Sequence, residues 1–93
     1  MTQDIFKILA PEKFTFDESS WFSSSYSNVT PGTQIVIDFT NCKYIDSSGL
    51  GMLLVCKDRL SKTETHIVLS HVTGAVKDIF SIANFHTIFH IQN

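Results

Sequence analysis

Residues 34–39 read Gln-Ile-Val-Ile-Asp-Phe, and the run Ile35-Val36-Ile37 at their centre constrains this chain more than any other segment. Three β-branched residues in a row favour extended backbone, and an unbroken apolar run predicts a strand covered on both faces. His66-Ile67-Val68-Leu69-Ser70 repeats the pattern. Between the two, residues 48–62 carry a helical period. Leu53, Cys56 and Leu60 form one stripe with Leu50 and Leu54 beside it, and Lys57, Asp58, Arg59 and Lys62 form the wet side. Strand, helix and strand joined in this way make a right-handed crossover between parallel neighbours. The middle of the chain therefore predicts an α/β fold on a largely parallel sheet.

The flanks add elements of the same kind. Residues 5–9 predict a first strand, stopped by Pro11. Phe14-Thr15-Phe16 alternates and predicts a short second strand, with a hairpin around residues 10–13. Asp17 is placed to cap a helix over 18–29, whose face would be Phe22, Tyr26 and Val29. Six serines between positions 19 and 27 weaken that helix, so it should be short. Pro31-Gly32 marks a turn. Thr73-Gly74-Ala75 opens a helix with Val76, Ile79, Phe80 and Ala83 on one face and Asn84 at its end. Residues 87–91 predict a last strand. A chain of 93 residues has the length of one domain, read here as 1–93.

Composition narrows the function. The formal charge is −2 and there is no run of Lys and Arg, which argues against nucleic acid as a partner. The start Met1-Thr2-Gln3-Asp4 is polar, with no long apolar stretch behind it. This predicts neither a signal peptide nor direct membrane insertion, and points to a cytoplasmic protein. Cys42 and Cys56 form no Cys-x-x-Cys pair and read as two buried, reduced thiols. His66, His71, His86 and His90 have no metal-ligand spacing, so no metal is expected.

The chemistry concentrates in residues 44–54, Tyr-Ile-Asp-Ser-Ser-Gly-Leu-Gly-Met-Leu-Leu. A strand should end at Tyr44-Ile45 and a helix begin near Ser48, so Asp46 and two hydroxyls lie in the turn between them. Ser48 would cap the helix start, where free amides and the dipole also favour a phosphate. Gly49 and Gly51 follow in the first turns, where glycine costs about 1 kcal/mol against alanine. Close packing or a close partner would each account for them. Neither a Gly-x-Ser-x-Gly elbow nor a phosphate-binding Gly-Lys-Ser/Thr loop is present, so no catalytic residue, no enzyme activity and no cofactor are expected. Leu50 and Met52 are candidates for apolar surface left at the helix start.

Asp46-Ser47-Ser48-Gly49-Leu50-Gly51, with an apolar strand before it and Met52-Leu53-Leu54 after it, resembles the signature of STAS domains. The nearer branch is that of the bacterial anti-sigma factor antagonists. The likeness extends to Ile35-Val36-Ile37-Asp38, Ile67-Val68-Leu69, Val76-Lys77-Asp78-Ile79-Phe80 and Ala83-Asn84-Phe85. It implies a four- to five-stranded mixed, mostly parallel sheet, with about three helices packed mainly on one face. It also implies partner switching. The unphosphorylated protein binds an anti-sigma factor that is a serine kinase, phosphorylation of the serine after the motif aspartate releases it, and a PP2C-like phosphatase, in some relatives part of a response regulator, restores binding. By motif position that serine is Ser47, with Ser48 the weaker candidate, and the docking residues would be Asp46, Ser47, Ser48, Gly49, Leu50, Gly51 and Met52. The chain alone is expected to be a monomer. The alternative implied by compact relatives is a cytoplasmic subunit of a lipid-transport ABC complex.

Overall fold

The β-branched runs at 35–37 and 67–68 become strands, and the apolar run 50–56 between them becomes the helix that crosses from one to the other. The structure is a computed structural model that describes residues 4–63 and 65–93. Its strands are β1 (Ile5–Leu9), β2 (Lys13–Phe14), β3 (Gln34–Asp38), β4 (Tyr44–Ile45), β5 (His66–Ser70) and β6 (His90–Ile91). Its α-helices are α1 (Ser19–Ser25), α2 (Ser47–Ser61) and α3 (Gly74–Ile82), and 3-10 turns occupy Phe16–Glu18 and Phe85–Thr87. The main sheet has the order β1-β3-β5-β6, and β2-β4 form a second, small sheet. Every described pairing is parallel.

The strand order runs in one direction, so crossovers of one hand place the helices on the same side. Burial follows. The rows Phe6-Ile35-Ile67 and Ile8-Ile37-Leu69-Ile91 share one face, where Ile8, Ile35, Ile37 and Leu69 are buried in the core. On the opposite face Ile5, Lys7, Leu9 and His66 are exposed and Val36 is half-buried, while Asp38, Val68 and Ser70 are buried. The expectation that β3 is covered on both faces holds fully on the helix face and in part on the other, where Gln34 and Val36 are half-buried and Asp38 is buried.

The predicted hairpin does not form. β1 pairs with β3, and the Ala10 amide extends that ladder to the Asp38 carbonyl (2.9 Å). The chain then crosses to pair β2 with β4, which buries Phe14 completely. Phe14 meets Phe22 edge-on at 5.1 Å and Phe39 at 6.1 Å. Burying a phenylalanine in an aromatic cluster outweighs a local turn whose Pro11 can donate no hydrogen bond.

α1 is shorter than the predicted 18–29, and Asp17 lies in the 3-10 turn rather than at a cap. The hydroxyls of Ser23, Ser25 and Ser27 donate to the carbonyls of Ser20, Phe22 and Ser24. These bonds compete with the helix's own ladder. Phe22 and Tyr26 are buried as the pattern required. Asn84 ends α3 in a left-handed conformation (φ 58°). The last strand shrinks to two residues because Phe85 and Phe89 stay in the core, 5.2 Å apart, and hold the preceding turn. Both cysteines are free and buried, and burial pushes the Cys56 thiol up to about 12.

One charge is buried on the far face of the sheet. The Asp38 side chain is 5% exposed and accepts from the Thr40 amide (2.8 Å) and hydroxyl (2.5 Å). Lys7 Nζ lies at 3.0 Å and His71 Nδ1 at 3.2 Å. Burial pushes this carboxyl up, but the Thr40 bonds, Lys7 and His71 together lower it to about 2. A folded-state value below the unfolded one contributes stability above the ordinary carboxylate range, which is lost as pH falls towards 2. Because Lys7 and His71 are open to solvent, the contribution is on the order of 1 kcal/mol. Urea denaturation at neutral pH and near pH 3 should show Asp38→Asn less stable than wild type at neutral pH, with the gap narrowing in acid. An unchanged gap would contradict this account.

Candidate functional site

β4 delivers the chain to the motif. Ile45 is buried beside Phe14 in the small sheet, which fixes where the turn begins. Asp46 is extended (φ −106°, ψ −176°), and α2 starts at the next residue, Ser47. The cap is therefore Asp46, not Ser48 as the sequence suggested. Its Oδ1 accepts from the Gly49 amide at 2.9 Å and from the Ser48 hydroxyl at 2.6 Å. Those two bonds, the Ser48 hydroxyl first, hold the Asp46 carboxyl below its ordinary range, so it is ionised at neutral pH.

The two serines consequently differ. Ser48 is half-buried and its hydroxyl is bound within the turn. Ser47 is exposed, and its hydroxyl has no hydrogen-bond partner among the described residues. It projects from the first residue of the helix beside an ionised carboxylate.

The two glycines also differ. A Cβ on Gly49 would lie 2.3 Å from the Phe14 carbonyl oxygen and 2.7 Å from Ile45 Cγ1. Only glycine lets the helix start press against the small sheet this closely. Gly49 is buried. A Cβ on Gly51 would meet nothing within 4 Å. Packing thus explains the first glycine and not the second.

Leu50 and Met52 are half-buried against the core, while the exposed apolar residues of α2 are Leu54 and Val55. Phe16, which sequence reasoning placed in a strand, is 70% exposed. Phe16, Ser20 and Ser23 face Ser48, Met52 and Val55 across a groove of about 440 Å³, with Arg59 also lining it. The sequence did not show this groove: an alternating strand would have put Phe16 on the same face as Phe14, and only the 3-10 turn at Phe16–Glu18 turns it outward.

Among the described residues no group of three or more His, Cys, Asp and Glu side chains could hold a metal. No helix there is long and apolar enough to cross a membrane.

Known proteins resemble this chain in sequence and in fold. The family model described as STAS domain matches residues 3–93. A STAS-domain containing protein of Pseudomonas aeruginosa is 36% identical over 82 residues, which span 86% of this chain and 80% of that protein. BtrV of Bordetella bronchiseptica, described as an anti-sigma factor antagonist, is 30% identical over 60 residues, spanning 64% of this chain and 52% of BtrV. A Thermotoga maritima crystal structure, also described as an anti-sigma factor antagonist, has a TM-score of 0.80 at 17% identity over 100% of this chain and 82% of that one. The last likeness shows a shared fold.

The glycines supply a direct check on the packing. Gly49→Ala should lower unfolding free energy by about 1–3 kcal/mol, because backbone at 2.3 Å must move. Gly51→Ala should be neutral or stabilise by up to about 1 kcal/mol. Urea denaturation of the two variants measures both. Equal effects would contradict the division of roles.

Proposed function

Because this chain belongs to the STAS domain family, we propose that it is a non-enzymatic binding module, an anti-sigma factor antagonist switched by phosphorylation of Ser47. In this reading the unmodified protein binds an anti-sigma factor with serine-kinase activity through the start of α2. The docking surface consists of Asp46, Ser47, Ser48, Leu50, Gly51 and Met52, set on the buried backbone of Gly49. The observation that carries the reading is the free, exposed hydroxyl of Ser47, next to a Ser48 hydroxyl already bound to Asp46. Gly51 supports it, since a residue that costs helix stability and packs against nothing leaves room for a partner's close approach.

The physics of the switch follows from the cap. A phosphate on Ser47 adds about −1.5 to −2 charge at neutral pH. Helix amides would ordinarily welcome it, but the Gly49 amide is already held by Asp46. The phosphate therefore sits beside a second anion with little local compensation. Docking an apolar partner surface over Gly51 and Met52 would have to desolvate both charges, which is costly without paired cations. Release comes from repulsion and desolvation, with the fold unchanged. A PP2C-like phosphatase, acting on a serine phosphate open to solvent, would return the protein to its binding form. All these steps belong to a cytoplasmic circuit.

Incubation with ATP and the cognate kinase, followed by mass spectrometry of the peptide spanning residues 44–57, should place the phosphate on Ser47. Ser48→Ala should still be modified, Ser47→Ala should not, and Ser47→Asp should bind the kinase at least about tenfold more weakly than wild type, since one buried uncompensated charge exceeds 1.4 kcal/mol. No phosphate with the right kinase, or full-strength binding by Ser47→Asp, would overturn the proposal.

A further inference from the structure

A second concavity lies at the other end of α2. The ladder between β5 and β6 begins at Val68↔His90, so His66 and Ile67 at the start of β5 have no strand beside them on that side. The missing strand length leaves a pocket of about 480 Å³. Lys57 from α2 and the imidazoles of His66 and His90 line it, with Ile88 and Phe89 among its apolar walls. The Lys57 ammonium lies 5.9 Å above the Phe89 ring, which positions the charge over the pocket wall. Among the described residues no carboxylate lines it.

One feature opposes an anion there: the C-terminal end of a helix carries partial negative charge. The sequence mutes it locally. The Ser61 hydroxyl donates to the Asp58 carbonyl at 2.8 Å, and the Thr63 hydroxyl donates to the Leu60 carbonyl at 2.8 Å. Two carbonyls of the last turn of α2 are thereby hydrogen-bonded. The described lining thus holds one ammonium, on the exposed Lys57, two imidazoles, of which His90 Nε2 lies 3.4 Å from the Gln92 amide nitrogen, the neutral polar Gln34, Ser61 and Thr65, and an apolar wall.

We propose that this pocket binds a small organic anion, a carboxylate or phosphate head on an apolar body. The head meets Lys57, His66 and His90, and the body lies on Ile88 and Phe89. Lys57 follows Ser47 by ten residues, about 15 Å along the helix axis, so the pocket is separate from the motif turn. The proposal does not rest on the switching function, and its failure leaves that reading intact.

Phenyl phosphate titrated into the ¹⁵N-labelled full chain tests it, with benzyl alcohol as the neutral control and inorganic phosphate as the head alone. Phenyl phosphate should give saturable amide shifts at residues 65–68 and 88–92, inorganic phosphate weaker shifts at the same amides, and benzyl alcohol none. Lys57→Gln, a change at an exposed position, should weaken phenyl phosphate about tenfold, as loss of a charged hydrogen-bond partner does, and Ser47→Asp should leave it unaltered. Non-saturable shifts, shifts elsewhere, equal response to benzyl alcohol, or indifference to Lys57→Gln would each overturn the proposal.

Discussion

The start of α2 depends on one carboxylate. Asp46 Oδ1 takes both the Gly49 amide and the Ser48 hydroxyl, and so decides that the helix begins at Ser47. A cap one residue later would have turned Ser47 into the turn and left Ser48 outward. The cap is held in turn by the small β2-β4 sheet, because Ile45 is buried one residue before it and Gly49 abuts the Phe14 carbonyl three residues after it. The two-residue strands are thus the base against which the helix start is set, and the geometry of the site is inherited from Phe14 and its aromatic neighbours.

This arrangement separates stability from signalling within six residues. Asp46, Ser48 and Gly49 make the contacts that keep the turn in place. Ser47 and Gly51 make none that the fold requires. A modification at Ser47 can therefore change surface charge with no intramolecular bond broken, and a partner can approach at Gly51 with no side chain displaced. In the proposed switch, a dianion beside an ionised carboxylate does its work through solvent and partner, not through the core.

Much of this was legible in the sequence, for definite reasons. The β-branched runs at 35–37 and 67–69 and the Leu53-Cys56-Leu60 stripe each repeat one period over several residues, so β3, β5 and α2 appeared close to their observed ranges. The motif resemblance placed helices on one face, where the apolar run of β3 alone suggested two. The two-residue strands were not legible as a pair: Lys13-Phe14 and Tyr44-Ile45 are too short for a period, and their pairing spans about thirty residues of chain. The cap was misplaced by two residues because serine and aspartate both cap well, and only the hydrogen bonds choose between them. The difference between Gly49 and Gly51 is a matter of surrounding space, which sequence does not carry.

The most direct measurement is the amide correlation spectrum of the chain carrying phosphate on Ser47, compared with the unmodified chain. The account predicts that Gly49 keeps a slowly exchanging amide bound to Asp46, that shifts stay within the first turns of α2 and the adjoining groove, and that the amides of β3 and β5 do not move. A Gly49 amide transferred to the phosphate, or shifts spread through the main sheet, would contradict it.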